Sequence, residues 1–305
     1  MEKNLYIDAS HPDETRVVLK SNSSIEEYEY ENKNRVNFKN NIYLGTVSRV
    51  EPSLQAAFVN FGRERHGFLA FNDIQSDYYQ IPTEDKEKLQ EAEEKIREEL
   101  KNSSPEDIDV QKNDEPVQAK QENSSDNILK ETESNNDNNN LNLDSTKKNS
   151  DTHSKREKLK NTYGIKRYRI QEVIKPGQIL LIQVMKEERG QKGAALTTFI
   201  SLAGKYIVLM PNTPKGGGIS RKIMNSSERK KIRSILNEIQ IPKEMGLIVR
   251  TAGSNKTKNE INHDLNSLIK SWNQIKDNAI NANAPSLIHQ ESEIINRTLR
   301  DMYDE

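Results

Sequence analysis

The chain has 305 residues, of which 32% are apolar and 30% are charged, and it contains no cysteine. This composition excludes disulfides and cysteine-ligated metal sites, and it is too polar for the entire chain to fold around a core. The net charge of −1 conceals an acidic middle, because residues 84–160 hold 21 acidic and 14 basic side chains and leave the remainder at +6. A mildly basic folded part is compatible with a polyanionic partner.

The N-terminal segment predicts short strands and no targeting signal. Residues 1–14 lack the apolar core of a secretory signal, and no stretch approaches the roughly 18 apolar residues needed to span a bilayer. We therefore expect a soluble, cytoplasmic protein without integral membrane contact. Within the first 38 residues, the segments LYIDA, RVVLK and IEEYEY are typical of β-strands.

Five further strands are predicted on either side of the acidic middle. NIYLGTVSRV, LQAAFVNFG and HGFLAF precede it, and QILLIQVMKEE and GAALTTFISL follow it. They are rich in β-branched and aromatic residues and are bounded by glycine, proline and charged turns. Five strands is the number found in an OB-type barrel. The acidic middle is then an insertion between the third and fourth strands of that barrel, where a surface loop lengthens at small thermodynamic cost.

The insertion is predicted to be mostly disordered. No aromatic residue occurs between Gln80 and Thr162, and runs such as SNNDNNNLNLDS bury too little apolar surface to offset chain entropy. Its first part favours a solvated helix with Thr83 as N-cap. The narrow apolar stripe of that helix consists of Leu89, Ala92, Ile96 and Leu100. A structural spacer is the plain interpretation, and a protein-docking segment is the alternative.

Beyond the fifth strand, the pattern alternates between strands and helices. KYIVLMP is a strand ended by Pro211, and GLIVRTAG is the next strand. Between them, NSSERKKIRSILNEIQIP predicts a helix with Ile232, Ile235, Leu236 and Ile239 on one face. The segment KNEINHDLNSLIKSWNQIKDNAINA predicts a longer helix, and ESEIINRTLRDMYDE predicts a last one. The apolar residues at helical spacing in the longer helix are Ile261, Leu265, Leu268, Ile269, Trp272 and Ile275.

Aromatic and basic residues alternate across the second and third barrel strands, in AAFVNFGRERHGFLAF. Rings that stack on bases, beside cations that contact phosphates, are typical of single-stranded nucleic-acid binding. The alternative is that the rings are part of the core, as most phenylalanines are. The aromatic candidates are Phe58, Phe61, Phe68 and Phe71, and the cations are Arg63, Arg65, His66, Lys186, Arg189 and Lys192.

Two other segments are candidates for anion binding. EMGLIVRTAG places the planar donors of Arg250 and the hydroxyl of Thr251 at a turn with a glycine, which suits an anion clamp or a solvated loop. PKGGGISRK combines three glycines with Lys215, Arg221 and Lys222, which suits a phosphate contact or a mobile basic loop, but it lacks the GxxxxGK[ST] spacing of a P-loop. Neither the histidines and carboxylates near the N-terminus nor His289 has a convincing spacing for metal binding or nucleophilic catalysis. The residues by themselves indicate a binding protein.

These segments together resemble the ribonuclease E/G family of bacterial endoribonucleases, which act in mRNA decay and in rRNA and tRNA maturation. NIYLGTVSRVEPSLQAAFVNFGRERHGFL, KEERGQKGAALTTFISLAGKYIVLMPN, GGISR, GLIVRTAG and LIHQES carry the resemblance, over about residues 41–72 and 167–300. It implies an α+β fold with an S1 domain (an OB-fold barrel), an α/β 5′-sensor domain and an incomplete RNase H-like element. The expected divisions are 1–38 and 296–305 for the RNase H-like element, 39–82 and 165–199 for S1, 83–164 for the insertion and 200–295 for the 5′ sensor.

The resemblance also implies roles for individual residues. Phe58 and Phe68 match the S1 aromatics that stack on RNA, and Lys192 matches a basic contact of the same surface. Arg221 and Lys222 occupy a basic pair where the family tends to have two arginines, and lysine keeps the charge but loses the bidentate geometry. The residues that match the pocket for a 5′-monophosphate are Gly204, Val208, Arg250 and Thr251.

Catalytic residues are expected outside this chain. In the family, a DNase I-like domain with two magnesium-binding aspartates and a CPxC zinc-link follow the segment that ends here in RDMYDE. The resemblance therefore implies no catalytic residue, no metal ligand and no cofactor in this chain, with Mg²⁺ and Zn²⁺ belonging to the complete enzyme. It implies single-stranded RNA with a 5′-monophosphate as the ligand, and a homo-oligomer only when the C-terminal half is supplied. A stand-alone, non-catalytic S1-type RNA-binding protein and a non-functional remnant are the alternatives.

Overall fold

The first three strands form a separate antiparallel sheet. The computed structural model describes residues 3–22, 24–32, 37–87, 91, 168–188, 192–213, 218–242, 244–291 and 293–303. Strands β1 (Lys3–Asp8), β2 (Glu14–Ser21) and β3 (Ser24–Asn32) lie in the order β1-β2-β3. Alternation along β2 buries Val17 and Leu19 on one face. The three predicted N-terminal strands are confirmed.

The next five strands close into a barrel, as predicted. They are β4 (Ile42–Glu51), β5 (Ala56–Asn60), β6 (Gly67–Ala70), β7 (Ile179–Lys186) and β8 (Ala195–Thr197). Strand β4 pairs with both β5 and β7, and β8 lies between β6 and β7, so the sheet has no open edge at this point. The short helix α1 (Ile170–Val173) contributes two fully buried side chains to the barrel core. The segment between β6 and α1 contains the predicted insertion.

An α/β unit follows the barrel. Strands β9 (Leu202–Ala203), β10 (Ile207–Met210), β11 (Gly218–Ile219) and β12 (Gly246–Val249) form a sheet in the order β11-β12-β10-β9. Helices α2 (Ser226–Glu238) and α3 (Lys258–Asn281) belong to the same unit. Asn225 caps α2, and Thr257 with Glu260 forms a reciprocal capping box at the start of α3. The buried α3 residues in the core of this unit are Ile261, Leu265, Leu268, Trp272 and Ile275.

The last two elements return to earlier parts of the chain. Strand β13 (Ser286–His289) pairs with β4 on the barrel, and helix α4 (Ile294–Asp301) follows it. Arg297 of α4 donates to Glu29 of β3 at 2.6 Å, which ties α4 to the N-terminal sheet. Ile42, at the start of β4, belongs to the same apolar cluster as the core of the α/β unit. The barrel and the α/β unit therefore share packed side chains.

Some predicted details differ or lie outside the described part of the chain. Residues 83–87 begin the helix predicted from Thr83, whereas its stripe from Leu89 to Leu100 is outside the described residues. Ile235, predicted on the same face of α2 as Ile232 and Leu236, is partly buried and packs against the same core. Among the helices of the described residues, none has the length and apolarity required to cross a bilayer.

Candidate functional site

The structure separates the four candidate phenylalanines into two environments. Phe58 of β5 and Phe68 of β6 are directly opposite each other, partly exposed, with ring centroids 6.0 Å apart in an edge-to-face arrangement. Phe61 is 1% exposed in the barrel core, where its ring meets Tyr43 at 5.2 Å. Phe71 stacks on Tyr79 and packs against the same core. Strand alternation explains the split, because the neighbours Ala57, Val59 and Leu69 are fully buried.

A cross-strand row extends the Phe58–Phe68 pair in both directions. In β4, Arg49 pairs with Phe58, and its guanidinium carbon lies 4.4 Å from the centre of that ring. On the other side, Phe68 pairs with Ala195 of β8, and Ala195 pairs with Lys186 of β7. Arg49 and Lys186 are both exposed. The barrel thus presents two rings in the middle of a row that has a cation at each end.

An open groove of about 500 Å³ lies at the Arg49–Phe58 end of this row, next to Phe68, and we call it the aromatic groove. Gly193 is required there, since a Cβ on it would lie 2.3 Å from the carbonyl oxygen of His66. Exposed Lys192 directly precedes this glycine. Arg63, by contrast, packs its guanidinium against Phe38 at 4.2 Å. The residues that line the groove are Ser48, Arg49, Phe58, Glu64, Arg65, His66 and Gly193.

Arg250 lies at the end of β12, with its side chain 30% exposed. Its backbone amide donates to the carbonyl of Tyr206 at 2.8 Å, and its Nη1 donates to the carbonyl of Gly204 at 2.6 Å. Thr251 is exposed and begins a single 3₁₀ turn over Thr251–Gly253. Val208, partly buried, lies in β10 opposite Ile248 of β12. The four residues predicted to form a 5′-phosphate pocket are therefore contributed by β12, the turn after it and the β9–β10 hairpin.

Asp264 of α3 fixes the hairpin that holds Arg250, and the sequence analysis did not identify it. Its carboxylate accepts from the backbone amides of Lys205, Tyr206 and Ile207 at 3.3, 2.8 and 3.1 Å. A Cβ on Gly204 would lie 2.6 Å from both carboxylate oxygens, so only glycine fits at that position. The signal in the sequence is a lone carboxylate beside the buried stripe of a helix, at the position before Leu265.

Helix α4 brings a second carboxylate to Arg250. Asp301 Oδ1 lies 2.7 Å from Arg250 Nη1, and Asp301 Oδ2 accepts from Arg300 at 3.0 Å. Arg300 also donates to Glu291 and to the carbonyl of Ala203. Burial opposes ionisation of Asp301, but hydrogen bonds from Arg300 and Arg250 outweigh it and lower its pKa below the usual value. Asp301 is therefore an anion at neutral pH.

Arg221 and Lys222 lie close to the same edge of the sheet. Strands β11 and β12 are parallel, Ile219 pairs with Val249, and Ser220 donates its backbone amide to the carbonyl of Val249 at 2.9 Å. The basic pair and Arg250 therefore follow neighbouring strand ends, and both members of the pair are exposed. Lys215, the third cation predicted in this segment, is outside the described residues.

The described residues do not form a metal centre. Within that part of the chain, no group of three or more His, Cys, Asp or Glu side chains is arranged to hold a metal ion. His289 and Glu291 approach each other at 3.3 Å, but Glu291 is engaged by Arg300. The Mg²⁺ and Zn²⁺ implied for the complete family enzyme thus find no fitting ligand set among these side chains.

The fold is that of an S1/OB-type barrel protein with an attached α/β unit. A profile of the Ribonuclease E/G family matches residues 201–305. Ribonuclease E of Haemophilus influenzae and that of Escherichia coli are each 34% identical to this chain over 98% of its length. Ribonuclease G of Escherichia coli is 26% identical over 96% of the chain. The chain belongs to the ribonuclease E/G family.

The matched region is a limited part of those relatives. The chain spans 23% of the length of the Haemophilus protein, 21% of the length of Escherichia coli ribonuclease E and 44% of the length of ribonuclease G. The likeness therefore concerns one portion of each relative.

Proposed function

We propose that this chain is the RNA-binding and 5′-end-sensing portion of a ribonuclease E/G-type endoribonuclease. The observation that carries the proposal is the cross-strand row in which Arg49, Phe58, Phe68 and Lys186 lie on one outer face of the barrel. Such a face fits single-stranded RNA, because every base has a π-face that stacks on a ring and every linkage carries a charge that attracts a cation. The proposal retains the cytoplasmic location expected from the sequence.

In the aromatic groove, stacking and charge act on different parts of the strand. A base that stacks on Phe58 or Phe68 gains about 1–3 kcal/mol. The guanidinium carbon of Arg49 lies 4.4 Å from the centre of the Phe58 ring, so a positive charge is next to a base that stacks there. Exposed Lys186 and Lys192 are available to the flanking phosphates. Binding at the groove is then expected to be tolerant of base sequence and of the chemistry at the 5′ end.

Arg250 supplies the proposed selectivity for the 5′ end. Its Nη1 donates to the Gly204 carbonyl and forms an ion pair with Asp301, whereas Nε and Nη2 donate to no acceptor within the described residues. That remaining edge is a planar pair of donors, which suits two oxygens of a terminal phosphate. The hydroxyl of Thr251 adds a donor at the next residue. A 5′-hydroxyl end offers no such oxygens, so it gains nothing from this site.

The proposal assigns RNA binding and end selection to this chain. Hydrolysis of the phosphodiester is assigned to parts of the family enzyme outside the matched region. The two ribonuclease E relatives are several times longer than that region. The groove would hold the strand and Arg250 its terminus, so that the two contacts together set which RNA molecules are presented.

The Arg250→Ala variant tests the sensing role. We expect it to weaken binding of a 5′-monophosphorylated oligonucleotide by about 1.5–3 kcal/mol, the contribution of hydrogen bonds to a charged group, and to leave the 5′-hydroxyl form unchanged. Fluorescence anisotropy with both oligonucleotides measures the difference. Lys270→Ala removes one exposed cation from α3 and serves as the control for net charge. If Arg250→Ala keeps the wild-type preference for the 5′-monophosphate, the sensor assignment is wrong.

A further inference from the structure

Asp301 forms an ion pair with Arg250, the residue that we propose binds a terminal phosphate. The carboxylate is 2.7 Å from Arg250 Nη1, and the same nitrogen donates to the Gly204 carbonyl at 2.6 Å. Nη1 is thus engaged within the protein by a carbonyl and by a carboxylate. An incoming anion must therefore bind at the Nε–Nη2 edge beside a fixed negative charge, or displace Asp301 from Nη1.

Helix stability does not explain why an aspartate is at this position. Asp301 is the last residue of α4, where the partial negative charge of the helix C-terminus disfavours an anion. Its neighbour Arg300 is the residue that suits this end of the helix. The favourable contacts of Asp301 are instead with Arg300 and Arg250, so the carboxylate is held at this unfavourable end by the two guanidinium groups.

The surrounding contacts keep both arginines in place without Asp301. Arg300 remains paired with Glu291 and bonded to the Ala203 carbonyl, and Arg250 remains bonded to the Gly204 carbonyl. Asp264 continues to hold the hairpin that supplies the Gly204 carbonyl. Removing the Asp301 charge should thus remove the ion pair at Nη1 and leave the position of Arg250 nearly unchanged.

From this geometry we infer that Asp301 is an intramolecular counterion that competes with a terminal phosphate for Arg250 and thereby sets the affinity of the 5′-end site. The inference rests on the proposed function for its natural ligand, a phosphate monoester at an RNA end. It makes Asp301 a specificity-determining residue, because the carboxylate reduces the advantage that a 5′-monophosphate has over a 5′-hydroxyl. Wild-type affinity is then a balance between two anions for one guanidinium.

Asp301→Asn is the direct test, since it removes the charge and keeps the shape. Exposed ion pairs contribute about 0.2–1 kcal/mol, so we expect the variant to bind a 5′-monophosphorylated oligonucleotide about 1.4- to fivefold more tightly. Affinity for the 5′-hydroxyl oligonucleotide should not change. Glu293→Gln is the matched control, because Glu293 is an exposed carboxylate at the other end of the same helix and contacts Asn296 instead of Arg250.

Inorganic phosphate is the second probe, followed by NMR titration of the full chain. Asp301→Asn should bind it more tightly than the wild type, and adding Arg250→Ala should abolish the gain. Should Asp301→Asn leave phosphate and 5′-monophosphate binding unchanged or weaker, Asp301 only positions Arg250 and the inference fails, even when the wild type still prefers 5′-monophosphate. Should phosphate binding tighten while the wild type shows no preference between RNA ends, the proposed function fails and the counterion role stands. Asp301→Ala repeats both tests if the asparagine variant folds poorly.

Discussion

The aromatic groove and the Arg250 site are built in different ways. The groove is a property of strand register, because Arg49 and Phe58, which line it, are paired across one hairpin, and Phe68 beside it is paired with Phe58 in the next. The Arg250 site is assembled from separate elements, with Asp264 contributed by α3 and Asp301 by α4. A local hairpin therefore suffices to create most of the groove, whereas the Arg250 site depends on contacts between residues far apart in the sequence.

The two regions also differ in the forces they offer to a ligand. Stacking on a ring is weakly dependent on salt, whereas contacts between cations and phosphates weaken at high salt, because the counterions that they release then gain less entropy. The groove mixes both contributions, and the Arg250 site offers mainly the second. We therefore expect the groove to supply general affinity for RNA and the Arg250 site to supply a smaller, salt-sensitive increment for one kind of end.

The largest effect is expected from the contrast between two phenylalanines. Phe61→Ala should lower the free energy of unfolding by about 3–5 kcal/mol, because it empties a fully buried position in the barrel core. Phe58→Ala should have a small effect on unfolding and weaken RNA binding by about 1–3 kcal/mol, equally for both 5′ ends. Urea denaturation and anisotropy titrations measure the two quantities.

Each phenylalanine variant is the control for the other. They remove the same side chain from positions three residues apart, one facing the core and one facing the groove. RNA affinity that is equal before and after Phe58→Ala would return that ring to a structural role. A loss confined to the 5′-monophosphorylated oligonucleotide would place Phe58 in the end site and contradict the division proposed between the two regions.

Asp264→Ala should impair the Arg250 site and leave the aromatic groove functional. It leaves three backbone amides of the β9–β10 hairpin without their acceptor, at a cost of about 1.5–3 kcal/mol in unfolding free energy. Because that hairpin positions the carbonyl that holds Arg250, the preference for a 5′-monophosphate should fall, while binding of 5′-hydroxyl RNA at the groove persists.

Asp277→Ala is the matched control for this variant, since Asp277 is an exposed aspartate on the same helix. Equal loss of binding for both RNA ends in Asp264→Ala would show that the hairpin supports the whole surface and not the end site alone. Comparison of the two unfolding curves separates the stability effect from the effect on binding.

Much of the fold follows from patterns that are local in the sequence. Alternation predicts the five barrel strands, and helical spacing predicts α2 and α3, because each pattern reflects a face buried in the nearest core. Ile235 is only partly buried on that face, since packing from other elements decides how much of the face is covered. The pairing of β13 with β4 joins residues more than two hundred positions apart, and no local pattern specifies it.

The residues of the candidate site likewise fall into two groups, those that local sequence patterns predict and those whose roles depend on distant contacts. The residue pattern predicts Phe58 and Phe68 as binding candidates but does not distinguish them from Phe61. Arg49 is recognised as their neighbour only when β4 and β5 are paired across their turn. Counting back along that hairpin from Phe58 would have identified Arg49. For Asp264 and Asp301, the partners are backbone amides and a guanidinium on other elements, so their roles appear only in the folded chain.

The smallest expected effect concerns Thr251. Thr251→Val keeps the branched shape and removes one hydroxyl from an exposed position, so the free energy of unfolding should change by less than about 0.5 kcal/mol. Loss of one hydrogen bond to a phosphate oxygen should weaken binding of 5′-monophosphorylated RNA by about 0.5–1.5 kcal/mol and leave 5′-hydroxyl RNA unaffected. Thr257→Val is not a suitable control, because that hydroxyl caps α3; Thr251→Ser is, because it restores the donor. If the valine variant binds 5′-monophosphorylated and 5′-hydroxyl RNA as the wild type does, Thr251 does not contribute and Arg250 alone selects the 5′ end.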